Sequence, residues 1–519
     1  MTRPSRPALS DGLLAVGLAV GLALSVDALR RVVQRLAYAT DLNFWSEDYF
    51  MTSMQKLAAG TPVLTSVADA NSTIYSPGQA YLHYALLAPF GAATSLTANR
   101  MLAQGWQLAA IAIGTVVGVD LLRRWDVWPP SRFQRVGAAL LIATALLLCA
   151  YSNPVADALH PTNLEELCLV ASAWALLRYP ELSPRRQWAS VLLLPALAFL
   201  AKQSAGAAVA LALAWVALRS GSKPRAIAAA LSPVLTALAL DLWTRGMFRV
   251  WGIEILAAHH FEASKVWDLY GGLGRWYALL ALVSIMSVRR GNPAVRRVAL
   301  LGLIYAPFAI AALFKVLGGP NNLSSLGFVL ALGAVPTLIA WARTWPGTAV
   351  GTLSSAALLL QLVVWFPQRY VPTTDDEARA EAICNYAAER LRCGERVWLG
   401  RGATCYARGG HSVPLDRMTS IHEVGEAGRF AELGLLDRIR HQEYDVILLH
   451  QADLTWLGPR FWPLLNASYR LFHASEENVH GDYWIHGFQG YGSRRVLYFE
   501  RKRDAGTHRA GDARFQCKG

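Results

Sequence analysis

Apolar runs, each flanked by arginine or lysine on alternate sides, fill most of the first 370 positions of the chain. A helix that crosses about 30 Å of hydrocarbon needs roughly 20 mostly apolar residues. Runs that meet or approach this length lie near 11–30, 101–122, 134–152, 164–179, 188–202, 204–219, 225–244, 273–288, 296–315, 323–342 and 346–366. They predict a mainly α, polytopic helical membrane protein with about eleven crossings. Prolines interrupt several runs, which a membrane helix tolerates where neighbours resupply the lost hydrogen bonds. A twelfth stretch, "QAYLHYALLAPFGAATSL" at 79–96, is amphipathic and broken by Pro89 and Gly91.

Charge decides whether that stretch crosses. The basic clusters are Arg3/Arg6, Arg123/Arg124/Arg132/Arg135, Arg178/Arg185/Arg186, Arg219/Lys223/Arg225 and Arg289/Arg290/Arg296/Arg297. If 79–96 stays out of the membrane, all of them fall on the side of the N-terminus, as the positive-inside rule requires. The expected topology therefore has a cytoplasmic N-terminus, a first helix that is retained rather than cleaved, and 79–96 as a juxtamembrane helix. Residues 31–100, the "HPTNLEE" loop, the turn at "AKQSAG", the 245–272 loop, "KVLGGPNNLSS" and everything after about 367 then lie outside.

Composition agrees. The chain is 54% hydrophobic and 16% charged, below the roughly 25% charged of a soluble domain. Its net charge of +13 sits in the short clusters between apolar runs, so it marks membrane orientation and argues against nucleic acid as a partner. The last 150 residues read differently. "DDEARAEAICNYAAERL" has helical periodicity, while "RVWLG" and "YDVILLH" read as short buried strands. We expect a transmembrane domain over 1–369, with 31–100 as an outer catalytic loop, and a small extracytoplasmic α/β domain over 370–519. Cys384, Cys393 and Cys405 fall in that outer domain, where an oxidising compartment permits disulfides.

This layout resembles the bacterial membrane glycosyltransferases of the GT-C superfamily, related to protein O-mannosyltransferases and lipid A aminoarabinose transferases. The resemblance rests on the acidic pair in "SEDY", on "IYSPGQAY", on Arg100 in "TANRML", on "HPTNLEEL", on "LAKQSAG" and on "FKVLGGPNNLSS". It implies an inverting transfer of a hexose or pentose from a polyprenyl-phosphate donor to a glycan, lipid or protein acceptor on the outer face of the cytoplasmic membrane. It also implies Glu47 or Asp48 as catalytic carboxylate, Lys202 and Arg100 at the donor phosphate, and Tyr75, His160, Glu165, Lys315, Asn321 and Asn322 around the substrates. The family's Asp-Glu order is reversed here and its Lys-Pro-Pro segment lacks the lysine.

Chemistry independently favours these residue types. Cations stabilise charge on a departing lipid phosphate, a carboxylate accepts the acceptor's proton, and a lysine at membrane depth marks a functional site. Asp48 is the expected base, because its short side chain is rigidly placed; Glu47 would support it or bind a divalent metal, the one cofactor left open. Each residue also has a plainer reading. Acids at a helix start complement its dipole, Lys202 can snorkel, Arg100 can anchor at the interface, His160 can cap a helix, and paired asparagines can make a turn. The competing function is a multipass lipid or sugar transporter or flippase, which calls for internal repeats with paired broken helices; no such repeat relates the two halves.

Overall fold

The computed structural model describes residues 9–38, 47–129, 131–152, 159–268, 274–290, 292–316, 318, 321–346, 348–364, 374–400, 402–410, 416–475 and 496–502. All eleven apolar runs are helical. They form α1 (Leu9–Leu36), α4 (Leu96–Arg124), α5 (Arg132–Ser152), α6 (Thr162–Arg178), α7 (Pro184–Ala201), α8 (Gln203–Arg219), α9 (Lys223–Trp243) and the helices Gly274–Arg290, Pro293–Phe314, Asn321–Thr344 and Ala349–Val364. Six of the described helices are long and apolar enough to cross a membrane, and α8, 277–289 and Ala349–Val364 are shorter apolar helices. The chain is a polytopic helical membrane protein. Two further helices, α2 (Glu47–Ala58) and α3 (Gly78–Leu87), lie between α1 and α4. With ten residues, α3 is about 15 Å long, too short to span, and Gly91 in the left-handed region (φ 65°) ends the 3₁₀ turn after it.

The chain divides into two compact units. The first draws on Met1–Gln34, Met101–Trp243 and Phe261–Arg369; the second draws on Arg35–Arg100, Thr244–His260 and Tyr370–Gly519.

In the first unit the helix Asn321–Thr344 is central, its apolar window buried all round, as a helix apolar on every face should be. Small residues let helices approach. A Cβ on Gly114 would lie 2.9 Å from both Leu146 and Leu332, and one on Gly118 would lie 2.9 Å from Ile142; this small-xxx-small spacing replaces the missing hydrophobic drive between membrane helices. By contrast, Leu231, Leu235, Leu238 and Leu242 on α9 face outward and exposed, the pattern of a lipid-facing surface.

The second unit combines the loop after α1 with the C-terminal α/β fold. Strands β1 (Val397–Leu399), β2 (Val446–His450), β3 (Tyr469–Ala474) and β4 (Val496–Arg501) form one sheet in the order β1-β2-β4-β3. The first pair is parallel, Val397 opposite Val446; the others are antiparallel, with a bulge between Leu471 and His473. A disulfide joins Cys384 to Cys405, and Cys393 is disulfide-bonded as well. The loop and the sheet domain are sewn together by backbone. Arg417 N–H donates to the Ala70 carbonyl at 2.7 Å and Asp416 N–H to that of Asp69, while Ser420 Oγ donates to the Ser72 carbonyl at 2.6 Å. Ala70 (φ 45°) and Asp416 (φ 54°) both occupy the left-handed region at this seam, where non-glycine residues are uncommon.

Candidate functional site

The sequence-predicted residues fall into two clusters, one in each unit. In the second unit, the first turn of α2 carries the acidic pair. Both carboxylates are fully buried and each is clamped by its own arginine. Glu47 takes a bidentate pair from Arg100, Nε to Oε1 and Nη2 to Oε2, both at 2.7 Å. The third guanidinium nitrogen of Arg100 donates to the Tyr38 carbonyl. Asp48 accepts four donors: the Gly402 and Ala403 amides at 2.9 and 2.7 Å, and Arg417 through Nε and Nη2. Adjacent helical positions diverge by about 100°, which is why one pair can serve two partners.

Both carboxylates of the pair are thus held by arginine. Three of the donors meet Asp48 Oδ1 and one meets Oδ2, so this carboxylate ties Arg417 to the backbone at Gly402 and Ala403. Arg100 is bound to Glu47, so its charge is already answered by a carboxylate. Neither partner of Asp48 was visible in sequence, because Arg417 lies far along the chain and backbone amides carry no side-chain signature. Farther along α2, Lys56 is buried with its ammonium against Thr65 Oγ1, Asn71 Oδ1 and Ser72 Oγ at 3.0, 2.8 and 3.3 Å. Burial among neutral oxygens holds it down to about 7. His83, buried against Asn99, is held down to about 4, again by burial. Tyr75 stacks on Tyr49 at 5.3 Å between centroids.

In the first unit the centre is Glu165 on α6. Its Oε2 accepts from Lys202 Nζ at 3.1 Å and Ser325 Oγ at 2.9 Å, and its Oε1 from Tyr305 Oη at 2.5 Å. Lys202 is the single extended residue (φ −159°, ψ 132°) between α7 and α8, and it is 5% exposed. Gly206 explains the local sequence: a Cβ there would come within 2.8 Å of the Phe199 backbone, so only glycine lets α8 restart so close to α7. Next to Glu165, Glu166 accepts from Gln107 Nε2 at 2.5 Å, and Asn163 donates to Gln107 Oε1. Tyr305 and Ser325 carry little signal in sequence because hydroxyls blend into apolar helices, whereas the doubled Glu at 165–166 is visible there.

The remaining candidates have local partners. His160 Nδ1 accepts from the Thr162 amide at 3.2 Å, at the start of α6. Asn322 Nδ2 reaches the Ala312 carbonyl at 3.4 Å. Asn321 opens its helix, with its side chain outside the described residues. The Lys315 carbonyl accepts from Lys265 Nζ at 2.5 Å, which fixes the backbone of that turn. Among the described residues no group of three or more His, Cys, Asp or Glu could hold a metal ion.

No family model matches the chain, and no curated protein matches it. Solved structures do. Crystal structures of ArnT from Cupriavidus metallidurans, one bound to undecaprenyl phosphate and one in the apo state, each align with a TM-score of 0.51, at 13% and 14% identity. In both, the alignment covers 94% of this chain and 98% of that one. The chain shares the ArnT fold. A crystal structure of the Archaeoglobus fulgidus oligosaccharyltransferase, tethered with an acceptor peptide, aligns over 90% of this chain and 73% of that one, with a TM-score of 0.48 and 12% identity. The polytopic helical fold expected from the sequence is borne out by the ArnT alignments, over 94% of the chain.

Proposed function

We propose that this protein is an inverting glycosyltransferase that moves a hexose or pentose from a polyprenyl-phosphate donor to a cell-envelope acceptor on the outer face of the cytoplasmic membrane. The observation that carries this reading is the buried Lys202–Glu165–Tyr305–Ser325 cluster in a fold shared with a protein solved bound to undecaprenyl phosphate. Ionisable groups among membrane helices are costly and mark function.

Lys202 is assigned to the donor phosphate. Its ammonium is held by a carboxylate with two other donors of its own, so Glu165 can keep Tyr305 and Ser325 when Lys202 turns to a phosphate. Glu47 is assigned to the acceptor. In the transfer, the acceptor hydroxyl gives its proton to the Glu47 carboxylate, its oxygen bonds to the anomeric carbon, and the bond from that carbon to the phosphate oxygen breaks with its electron pair left on the lipid phosphate. Arg100 orients Glu47 through its bidentate pair. The proposed topology, with the N-terminus cytoplasmic and 370–519 outside, is supported by the basic clusters and by the Cys384–Cys405 disulfide.

Mass spectrometry of cell-envelope glycans from cells with and without the protein tests the reading, with purified protein in nanodiscs titrated with undecaprenyl phosphate alongside. A sugar lost with the protein, and lipid-phosphate binding lost in Lys202→Met, are the expected results. Unchanged glycans together with no binding would overturn it.

A further inference from the structure

The start of α3 carries a sequence signature that the structure does not use. Ser76-Pro77-Gly78-Gln79 has the S-x-x-Q spacing of a capping box, in which serine and glutamine side chains bond each other's backbone amides. Here Pro77 occupies the N-cap and no side chain caps the helix. Ser76 is 4% and Gln79 2% exposed. Ser76 Oγ and both the oxygen and the nitrogen of the Gln79 amide have no hydrogen-bond partner among the described residues, and the hydroxyl of buried Tyr49 has none either.

Four such atoms in one neighbourhood call for an explanation, because buried polar groups are nearly always paired. Two ring contacts define the neighbourhood. Tyr75 stacks on Tyr49, and His83 meets the edge of Phe50 with centroids 5.0 Å apart. Ser76 and Gln79 fall between Tyr75 and His83 in sequence, with Gln79 one turn before His83 on the same face of α3.

We propose that Tyr49, Ser76 and Gln79 form a carbohydrate subsite that binds the hydroxyl groups of a sugar ring. Its atoms match that ligand. A free amide offers a donor and an acceptor side by side, which is what vicinal hydroxyls need, and two hydroxyls can each donate or accept. The Tyr49–Tyr75 pair supplies aromatic surface of the kind that packs on the apolar face of a sugar. The cations described nearby have partners of their own: Arg100 and Arg417 are bound to Glu47 and Asp48, and the Lys56 ammonium to Thr65, Asn71 and Ser72; an oxyanion would be poorly served here. The choice of a sugar rests on the proposed glycosyl transfer, whereas the existence of a polar ligand site rests on the unpaired atoms alone.

The test uses the full-length protein in nanodiscs. Gln79→Met and Tyr49→Phe keep the volume and delete the unpaired atoms, so the ligand-free variants should melt higher by about 1–3 °C. A side chain that held the fold through those atoms would instead melt lower. Methyl glycosides of glucose, mannose, xylose and arabinose, followed by saturation-transfer NMR, serve as probes. At least one should bind the unaltered protein and bind Gln79→Met at least about tenfold more weakly. A decyl phosphoglycoside of the same sugar separates the two sources. Displacement of the methyl glycoside assigns the donor's sugar, and simultaneous binding assigns an acceptor glycan. Lower melting of Gln79→Met, or no glycoside bound more weakly by it, overturns the proposal. Neither readout needs turnover, so a failure to detect sugar transfer would count against the proposed function and leave this site standing.

Discussion

Glu47 and Asp48 are neighbours in α2, yet Arg100 clamps one carboxylate and Arg417 the other. The division gives each carboxylate a partner of its own. Glu47→Gln removes the proposed base and leaves buried Arg100 without its countercharge, so turnover of the folded fraction should fall by at least about 10² and stability should fall as well. Asp48→Asn leaves Arg417 buried without its countercharge, which costs on the order of 3–5 kcal/mol. It should therefore appear first as a loss of folded protein in size-exclusion chromatography. If Asp48→Asn folds normally and is the slower enzyme, the roles are reversed.

The Lys202–Glu165 pair gives a second prediction. Lys202→Met leaves Glu165 buried without its cation, and Glu165→Gln does the same to Lys202, so each should destabilise by about 3–5 kcal/mol. The double variant removes both charges and should recover most of that stability. It should still fail to bind undecaprenyl phosphate in nanodisc titrations. Recovered binding in the double variant would show that Lys202 is a structural cation only.

The pH dependence of stability has a definite sign. Lys56 titrates near 7 in the folded protein and near 10.4 when unfolded, so between those values unfolding takes up a proton and stability rises with pH, by up to about 1.4 kcal/mol per unit. His83, at about 4 folded against about 6.5 unfolded, adds a rise over that lower window. Melting curves from pH 6 to 10 should climb in the unaltered protein and flatten above pH 7 in Lys56→Met. Parallel curves would remove Lys56 as the cause.

Cys384 and Cys405 are separated by 21 residues, a loop whose closure restricts the unfolded chain by about 3 kcal/mol. Cys384→Ala/Cys405→Ala should lower the melting temperature of the second unit, and mass mapping of peptides from native membranes should recover the cross-link. Finding both thiols free there would contradict it.

Reporter fusions at Arg186 and at Gly410 should report opposite compartments, Arg186 cytoplasmic and Gly410 outside. The same compartment for both would break the proposed topology.

Helices were the most legible part of the sequence, because a membrane imposes both length and apolarity; each of the eleven runs is a helix, and Pro89 and Gly91 correctly marked where α3 stops short. The strands β1 and β2 were legible as continuous apolar runs, whereas β3, whose side chains after Tyr469 are mostly exposed, carries no comparable signal. Lys202 stood out because charge is rare among apolar residues. Its partners Tyr305 and Ser325 did not, since hydroxyls blend into membrane helices. Arg417 was hidden for a different reason: one arginine among many in a polar domain declares nothing until the fold brings it to Asp48.

The seam between residues 69–72 and 416–420 also sets an order of events during synthesis. The loop that holds Asp48, Ala70 and Ser72 emerges from the ribosome long before Arg417 and Ser420 exist. Until then Asp48 has neither its arginine nor the amides of Gly402 and Ala403, and the carbonyls of Ala70 and Ser72 have no donors from that side. The second unit thus closes only on chains translated through Ser420, after the membrane helices have been made, and a chain arrested earlier presents an open loop to quality-control proteases.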